Sequence, residues 1–170
     1  KNIVVFKPLM DDRYAENEVV SHNQNRTRSV NISRAAQIFD YIDSNTQVVA
    51  VDEIQFLDEE AVKIIDYLAG TGIRVIVSGL DKDFRGEPFS FMPKLLSIAE
   101  YVTKLTAICV KCGAPATRTQ RIVNGRPAKY NDPIVMIGAE ESYEARCRSC
   151  HKVYRKPTTY KNRVTKVNES

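Results

Sequence analysis

The sequence predicts an α/β fold, a parallel sheet flanked by helices, followed by a small separate domain. Three short apolar runs are rich in β-branched residues, and two amphipathic segments lie between them. This alternation is typical of parallel strands joined by crossover helices. Further along, all four cysteines fall into two Cys-x-x-Cys pairs. The 170 residues, of which 43% are hydrophobic, suffice for one domain with a modest core and a small appendage.

The predicted strands are Ile3–Phe6, Val48–Val51 and Val75–Val77. Their apolar, β-branched composition is that of strands buried on both faces. A further apolar stretch, Tyr101–Ile108, is expected to form another strand and to lead into the first cysteine pair.

The predicted helices are Ser33–Ile42 and Asp58–Ala69, whose apolar residues recur near helical spacing. The first residue of each is a plausible N-cap. Gly70 and Gly72 follow the second helix, where a glycine stop is expected. A third helix is predicted over Pro93–Glu100.

The cysteine pairs are Cys109-Val-Lys-Cys112 and Cys147-Arg-Ser-Cys150. Two such knuckles supply the four thiolates that structural zinc prefers, which predicts a zinc ribbon. Four ligands saturate the ion, so the zinc is expected to organise a loop rather than to catalyse a reaction. His151 could replace one ligand, although a role beside the ligands is its simpler interpretation.

Two other uses of the cysteines are open. Paired disulfides require an oxidising compartment, yet no signal peptide or membrane-length apolar run is visible. A thioredoxin-type redox pair would leave the second Cys-x-x-Cys without a purpose. We therefore predict three segments: an α/β domain over 1–108, a zinc-ribbon domain over 109–156 and a basic tail over 157–170. The net charge of +4 is spread too evenly along the chain for a dedicated DNA-binding domain.

An acidic pair, Asp52-Glu53, follows the predicted strand Val48–Val51. In parallel sheets ligands bind beyond the carboxyl ends of the strands. An apolar strand ending in two acidic residues has the form of a Walker B segment, although a solvated loop would look similar. The loop that begins at Gly79-Leu80-Asp81 carries phenylalanines, which often belong to a lid or to a site for a planar ligand.

Taken in order, these motifs resemble the type II, cytosolic-type thymidine kinases over nearly the whole chain. The segments that carry the resemblance are Phe6-Lys7-Pro8, Asp11-Asp12-Arg13-Tyr14, Val19-Val20-Ser21-His22-Asn23, Val51-Asp52-Glu53-Ile54-Gln55-Phe56, Gly79-Leu80-Asp81 with Phe84 and Pro88-Phe89, Lys104-Leu105-Thr106-Ala107, Thr119-Gln120-Arg121, Ile137-Gly138-Ala139 and Tyr143-Glu144-Ala145-Arg146-Cys147-Arg148.

The resemblance implies a P-loop kinase (RecA-like) fold whose zinc ribbon carries a long lasso loop, here 113–146. It implies transfer of the ATP γ-phosphoryl group to the 5′-hydroxyl of thymidine or deoxyuridine. Glu53 would accept the hydroxyl proton, and Asp52 would support Mg²⁺ through water. The residues implied at the ATP, Mg²⁺ and sugar side are Asp11, Asp12, Arg13, Asp52, Glu53, Ile54 and Gln55.

For the nucleoside, the resemblance implies main-chain contacts from the lasso together with aromatic packing. The implied residues are Leu80, Phe84, Phe89, Thr119, Ile134, Val135, Met136, Ile137, Gly138 and Tyr143. Without the resemblance, Ile134 and Met136 could equally be core residues. Family membership further implies a homotetramer, feedback inhibition by dTTP, a cytoplasmic location, and neither nucleic acid nor membrane as a partner.

The sequence departs from the family in two places. The motif G-x-x-x-x-G-K-[ST], which the family carries ahead of the Lys7 strand, does not occur in these residues. Since the chain starts at Lys1, we expect an upstream segment to supply it, and we expect residues 1–170 alone not to turn over ATP. Gln24 stands where many relatives have glycine.

Two alternatives compete with a kinase. A zinc-ribbon, nucleic-acid-binding ATPase-like protein would explain the ribbon and the basic tail, and would bind DNA or RNA with steep salt dependence. A non-catalytic nucleotide sensor would share the fold but lack turnover. The segment between the knuckles is rich in Gly, Pro and Ile rather than in alternating aromatic and basic residues, which disfavours the first alternative.

Overall fold

The computed structural model describes residues 2–9, 18–19, 27–134 and 141–157. Contacts between residues divide the chain into two units. The first comprises Lys1–Asp81 and Pro88–Val102, and the second comprises Lys82–Glu87 and Thr103–Ser170. The short segment Lys82–Glu87 therefore groups with the cysteine-rich part of the chain rather than with its own neighbours in sequence.

The first unit is built on a five-stranded sheet in the order β2-β3-β1-β4-β5. These strands are β1 (Asn2–Pro8), β2 (Glu18–Val19), β3 (Thr27–Ile32), β4 (Thr46–Val51) and β5 (Arg74–Val77). Strands β3, β1, β4 and β5 are parallel, and β2 is antiparallel to β3. The α/β fold with a parallel sheet is thus confirmed, as are the three predicted strands in the first unit.

Strand β3 was not predicted, because its sequence Thr-Arg-Ser-Val-Asn-Ile mixes polar and apolar residues. It nevertheless pairs with β1, and Ile32 at its end is buried. The expectation that the predicted strands are buried on both faces is wrong for β5 and for the start of β1, where Ile3 is 51% exposed. In β5, Val75 packs against the core, whereas Ile76 is 50% exposed.

The helices of the first unit are α1 (Glu60–Gly70), α2 (Met92–Ile98) and two 3₁₀ helices, Ala35–Asp40 and Ile54–Phe56. Helix α1 confirms the second predicted helix, and Gly72 follows it with a φ of 90° in the left-handed region that favours glycine. Helix α2 is shorter than predicted. The predicted strand Tyr101–Ile108 is wrong over most of its length, since only its last two residues form a strand.

The helix predicted over Ser33–Ile42 is a 3₁₀ helix in the structure, with Arg34 rather than Ser33 as the N-cap. The side-chain oxygen Oε1 of Gln37 accepts the backbone N–H groups of Ser33 and Arg34 at 2.8 and 3.0 Å. The Gln37 side chain therefore supplies the hydrogen-bond acceptor for two backbone N–H groups at the start of this helix.

Asp58 links the starts of two helices. Its Oδ2 accepts the backbone N–H of Ala35 at 2.9 Å, and its Oδ1 accepts that of Glu60 at 3.2 Å. Asp58 thus caps α1 from one residue before the N-cap, Glu59.

We expect Asp58→Ala to lower the free energy of unfolding by about 1 kcal/mol, because two N–H groups lose their acceptor. Urea unfolding followed by circular dichroism measures this loss. The control, Asp66→Ala, removes an exposed carboxylate from the same helix and should change stability by less than about 0.5 kcal/mol. Equal losses in the two variants would contradict the capping role.

The second unit contains a three-stranded antiparallel sheet in the order β10-β8-β9, and the pair β6-β7. Its strands are β6 (Ala107–Ile108), β7 (Pro115–Ala116), β8 (Arg118–Val123), β9 (Arg126–Pro127) and β10 (Glu141–Arg146). Asn124 and Gly125 join β8 to β9, with φ angles of 49° and 70°. Two positive φ angles at an Asn-Gly pair are those of a type I′ hairpin turn.

Among the described residues, none of the helices has the length and hydrophobicity that are needed to span a bilayer.

Candidate active site

The acidic pair lies at the carboxyl edge of the parallel sheet. The backbone N–H of Asp52 donates to the Phe6 carbonyl at 3.0 Å, and that of Ser78 donates to the Val51 carbonyl at 2.9 Å. The pairing with the neighbouring strand therefore continues one residue beyond the end of β4 and one residue beyond the end of β5. This edge is where parallel α/β sheets bind ligands.

Asp52 is fixed by two hydrogen bonds to one oxygen. Its Oδ1 accepts the Ser78 hydroxyl at 2.6 Å and the Glu53 backbone N–H at 3.0 Å. These two hydrogen bonds hold the Asp52 carboxylate against the end of β5 and the start of the following turn. Ser78 had no predicted role, and only its place after the neighbouring strand could have suggested one.

Glu53 has an unusual backbone. Its φ and ψ angles of 52° and 39° lie in the left-handed region, which few residues other than glycine adopt. The N–H of the next residue, Ile54, donates to the Ser78 carbonyl at 3.1 Å, which anchors the turn. Such conformations are costly and are concentrated at functional sites.

The four cysteine sulfur atoms form the candidate metal centre. All four Sγ atoms lie within 4.8 Å of one another, and those of Cys112 and Cys147 are 3.6 Å apart. A tetrahedral Zn²⁺ with bonds of about 2.3 Å requires sulfur atoms about 3.8 Å apart. The four residues therefore fit a structural zinc ion, and the predicted clustering of the two cysteine pairs is confirmed.

Local backbone bonds form the two knuckles. The N–H of Gly113, whose φ is 74°, donates to the Cys109 carbonyl at 2.9 Å, and that of His151 donates to the Cys147 carbonyl at 3.0 Å. A hydrogen bond with the Cys147 backbone lowers the pKa of Cys109 to about 6. A hydrogen bond with the Cys112 thiol raises the pKa of Cys150 to about 12. Backbone donors thus favour the thiolate that a metal requires at Cys109.

His151 lies beside the ligands, as its simpler interpretation predicted. Its Nε2 is 2.8 Å from the Phe84 carbonyl oxygen. Because that oxygen can only accept, Nε2 carries the hydrogen and donates it. Burial lowers the pKa of His151, which favours the neutral ring. His151, the residue that follows the second knuckle, therefore holds the peptide group of Phe84 in place through this hydrogen bond.

The segment Lys82–Glu87 forms a closed turn around Asp83, which is 4% exposed. Its Oδ1 accepts the backbone N–H groups of Arg85 and Glu87 at 2.9 and 3.0 Å. The turn presents the ring of Phe84 to two guanidinium groups, whose carbon atoms lie 5.3 Å (Arg85) and 5.1 Å (Arg121) from its centroid. These contacts leave Phe84 buried within the second unit.

Arg121 had no predicted role, yet it is fully buried on β8. Its Nη1 donates to the Pro133 carbonyl at 2.5 Å, and its partner across the sheet is Tyr143. In the sequence Arg121 ends the run of polar residues that opens β8, 118–121, and a basic residue in such a run usually lies on an exposed face.

The structure brings together only some of the predicted site residues. In the first unit Asp52, Glu53, Gln55 and Leu80 share hydrogen bonds, while Ile54 and Phe89 belong to the core. In the second unit Thr119 and Tyr143 lie on paired strands, and Ile134 and Tyr143 are 38% and 52% exposed. Seven predicted residues fall outside the described part of the chain: Asp11, Asp12, Arg13, Val135, Met136, Ile137 and Gly138.

A comparison with protein families agrees with these motifs. The model of the family described as thymidine kinase matches residues 1–151, which is most of the chain and includes the acidic strand end and all four cysteines. Members of such a family are phosphotransferases that act on a nucleoside. The resemblance seen in the sequence is thereby confirmed, and the chain belongs to the thymidine kinase family.

Proposed function

We propose that the protein transfers the γ-phosphoryl group of ATP to the 5′-hydroxyl of thymidine or deoxyuridine and releases the monophosphate and ADP. The family match over residues 1–151 carries this proposal. The acidic pair at the carboxyl edge of the sheet supports it, because phosphoryl transfer depends mainly on positioning and on charge neutralisation.

In this proposal Glu53 accepts the proton of the 5′-hydroxyl as the oxygen attacks the γ-phosphorus. Its side chain is half-buried and already accepts one hydrogen bond from a neighbouring side chain, that of Gln55. A carboxylate held in one place can take the proton without first losing rotamer freedom.

Asp52 is the residue that would hold Mg²⁺ through water. Oxygen ligands and retained water are what Mg²⁺ prefers, and the hydrogen bonds to Asp52 Oδ1 suit such an arrangement. When bound, the ion would neutralise charge on the ATP phosphates. Asp11, Asp12, Arg13, Ile54 and Gln55 are proposed for the same side of the site.

The nucleoside is proposed to bind to Leu80, Phe84 and Phe89 and to the chain around the second knuckle. The remaining proposed contacts are Thr119, Ile134, Val135, Met136, Ile137, Gly138 and Tyr143. A pocket that uses backbone donors and acceptors rejects cytosine and purines, because their polar groups would be buried unpaired. Zinc at the four cysteines would stabilise this part of the chain.

The family resemblance also supports inhibition by dTTP, a homotetramer and a cytoplasmic location. Nucleoside and phosphate portions of dTTP would occupy the thymidine and ATP sites together. These properties are proposals, and each rests on the resemblance alone.

The substrate test uses the full-length protein with γ-labelled ATP and Mg²⁺. We expect labelled monophosphate from thymidine and deoxyuridine, and at least about 100-fold lower kcat/KM with deoxycytidine or deoxyadenosine. Omission of Mg²⁺ should abolish the transfer. Equal rates with all four nucleosides, or no transfer to thymidine, would overturn the proposal.

A further inference from the structure

The side chain of Gln55 connects the candidate base to the neighbouring strand end. Gln55 is 3% exposed. Its Nε2 donates to Glu53 Oε2 at 2.5 Å, and its Oε1 accepts the backbone N–H of Leu80 at 3.2 Å. Both ends of one buried amide are therefore engaged, one with a carboxylate and the other with the main chain after β5.

Chemistry fixes the orientation of this amide. An ionised carboxylate can only accept hydrogen bonds, and a backbone N–H can only donate. A flipped amide would place oxygen against oxygen at Glu53 and N–H against N–H at Leu80. The Nε2 of Gln55 therefore faces Glu53, and the bond is a charge-assisted one, which is stronger than a neutral bond.

The backbone brings the two side chains to the same side of the turn. Glu53 has a left-handed backbone conformation and directly precedes the 3₁₀ helix Ile54–Phe56, which contains Gln55. Gly79 follows the neighbouring strand, β5, and a Cβ atom at this position would overlap Gln55 Oε1. Gly79 therefore leaves the space that the amide oxygen occupies.

We propose that Gln55 is a positioning residue that holds the Glu53 carboxylate in the place where it accepts the hydroxyl proton. The family resemblance implies that Gln55 lies at the ATP side of the site, whereas its hydrogen bonds in the structure are with Glu53 and Leu80. The proposal deepens the kinase function above and rests on it. Gln55 acts through Glu53, so its loss should affect the chemical step more than the binding of thymidine.

Two variants separate the donor from the acceptor. Gln55→Leu removes both hydrogen bonds, whereas Gln55→Glu keeps an oxygen for the Leu80 N–H and replaces the amide donor to Glu53 by a second acidic group, which competes with Glu53 for a proton. In the intact protein we expect both variants to lower kcat by about 10- to 100-fold, with the KM for thymidine within about threefold of the original. The control is Gln47→Leu, at an exposed position in β4, for which we expect an unchanged kcat.

Two outcomes of these kinetic measurements would overturn the proposal. A Gln55→Leu variant with the original kcat would show that the hydrogen bond to Glu53 is unnecessary and would overturn the proposal. A rise in KM without a fall in kcat would assign Gln55 to substrate binding instead, and would overturn it equally.

A spectroscopic measurement tests the hydrogen bond without any turnover. In ¹H–¹⁵N spectra we expect one side-chain N–H proton of Gln55 to resonate downfield of the other glutamine side chains and to shift in Glu53→Gln. It should not shift in Glu60→Gln, which alters an exposed carboxylate on α1. If the chemical shift of this proton is the same in Glu53→Gln as in the original protein, the proposal is overturned. This outcome can be read even if the protein does not phosphorylate thymidine.

A matched glycine pair tests the space beside Gln55. Gly79→Ala should displace the amide oxygen and lower kcat by about 10-fold or more. Gly70→Ala, at the end of α1 where a Cβ meets nothing within 4 Å, should leave kcat unchanged. A Gly79→Ala variant with the original kcat would show that the amide need not occupy this position.

Discussion

Replacing Glu53 with glutamine is expected to lower kcat for thymidine phosphorylation by about 10²- to 10⁴-fold, which is the usual contribution of a positioned general base. The amide is nearly the same size as the carboxylate, and its oxygen can still accept the hydrogen bond from Gln55. The variant should therefore fold as the original protein does while being unable to take the hydroxyl proton.

Steady-state kinetics with thymidine and ATP measure this effect, and the KM for thymidine should change by less than about threefold. The control is Glu60→Gln, which removes an exposed carboxylate from the first turn of α1. Thermal unfolding of both variants checks the fold. If Glu53→Gln keeps the original kcat, Glu53 is not the base, whatever the substrate profile of the protein.

Substitution of Cys147 by serine is expected to abolish stoichiometric zinc binding and to unfold the second unit. Cys147 is buried, follows β10 directly, and contributes one of four sulfur atoms that fit a tetrahedral ion. Structural zinc typically supplies folding free energy on the order of 10 kcal/mol in small domains. The short strands of the second unit offer few alternative sources of stability.

Metal analysis and amide hydrogen exchange test this expectation. Zinc should fall from one ion per chain to nearly none, and amide protection should be lost across β8 and β10 while β1, β4 and α1 retain theirs. Ser149→Ala changes an exposed residue within the same knuckle and should alter neither measurement. Full zinc content in Cys147→Ser would contradict the four-cysteine site.

The sequence was most informative where local composition determines structure. The apolar runs of β1, β4 and β5, the amphipathic pattern of α1 and the spacing of the cysteines are all visible without knowledge of their partners. Strand β3 was not predicted because its polar sequence has no strand pattern of its own, and the strand is stabilised by pairing with β1. The 3₁₀ helix Ala35–Asp40 was predicted as an α-helix because its stability depends on Gln37 and on the distant Asp58.

In the candidate site, too, the features set by local sequence could be predicted and those set by distant contacts could not. Asp52 and Glu53 could be predicted because an acidic pair after a buried strand is a recognisable pattern. The contacts of Ser78, Gln55 and Gly79 could not, since they depend on the register between β4 and β5 and on the left-handed turn at Glu53. The role of Arg121 was hidden for a similar reason, because burial of a cation is decided by packing rather than by composition.

The closed turn around Asp83 limits how this chain can be divided for experiments. Because Lys82–Glu87 groups with the second unit, the polypeptide crosses between the two units three times, after Asp81, Glu87 and Val102. A fragment that stops at Val102 would retain the turn yet discard His151 and Tyr130, which bond to Phe84 and Glu87. Shortened versions for crystallisation or domain exchange should therefore replace this hexapeptide with a neutral linker rather than simply cut the chain after Val102.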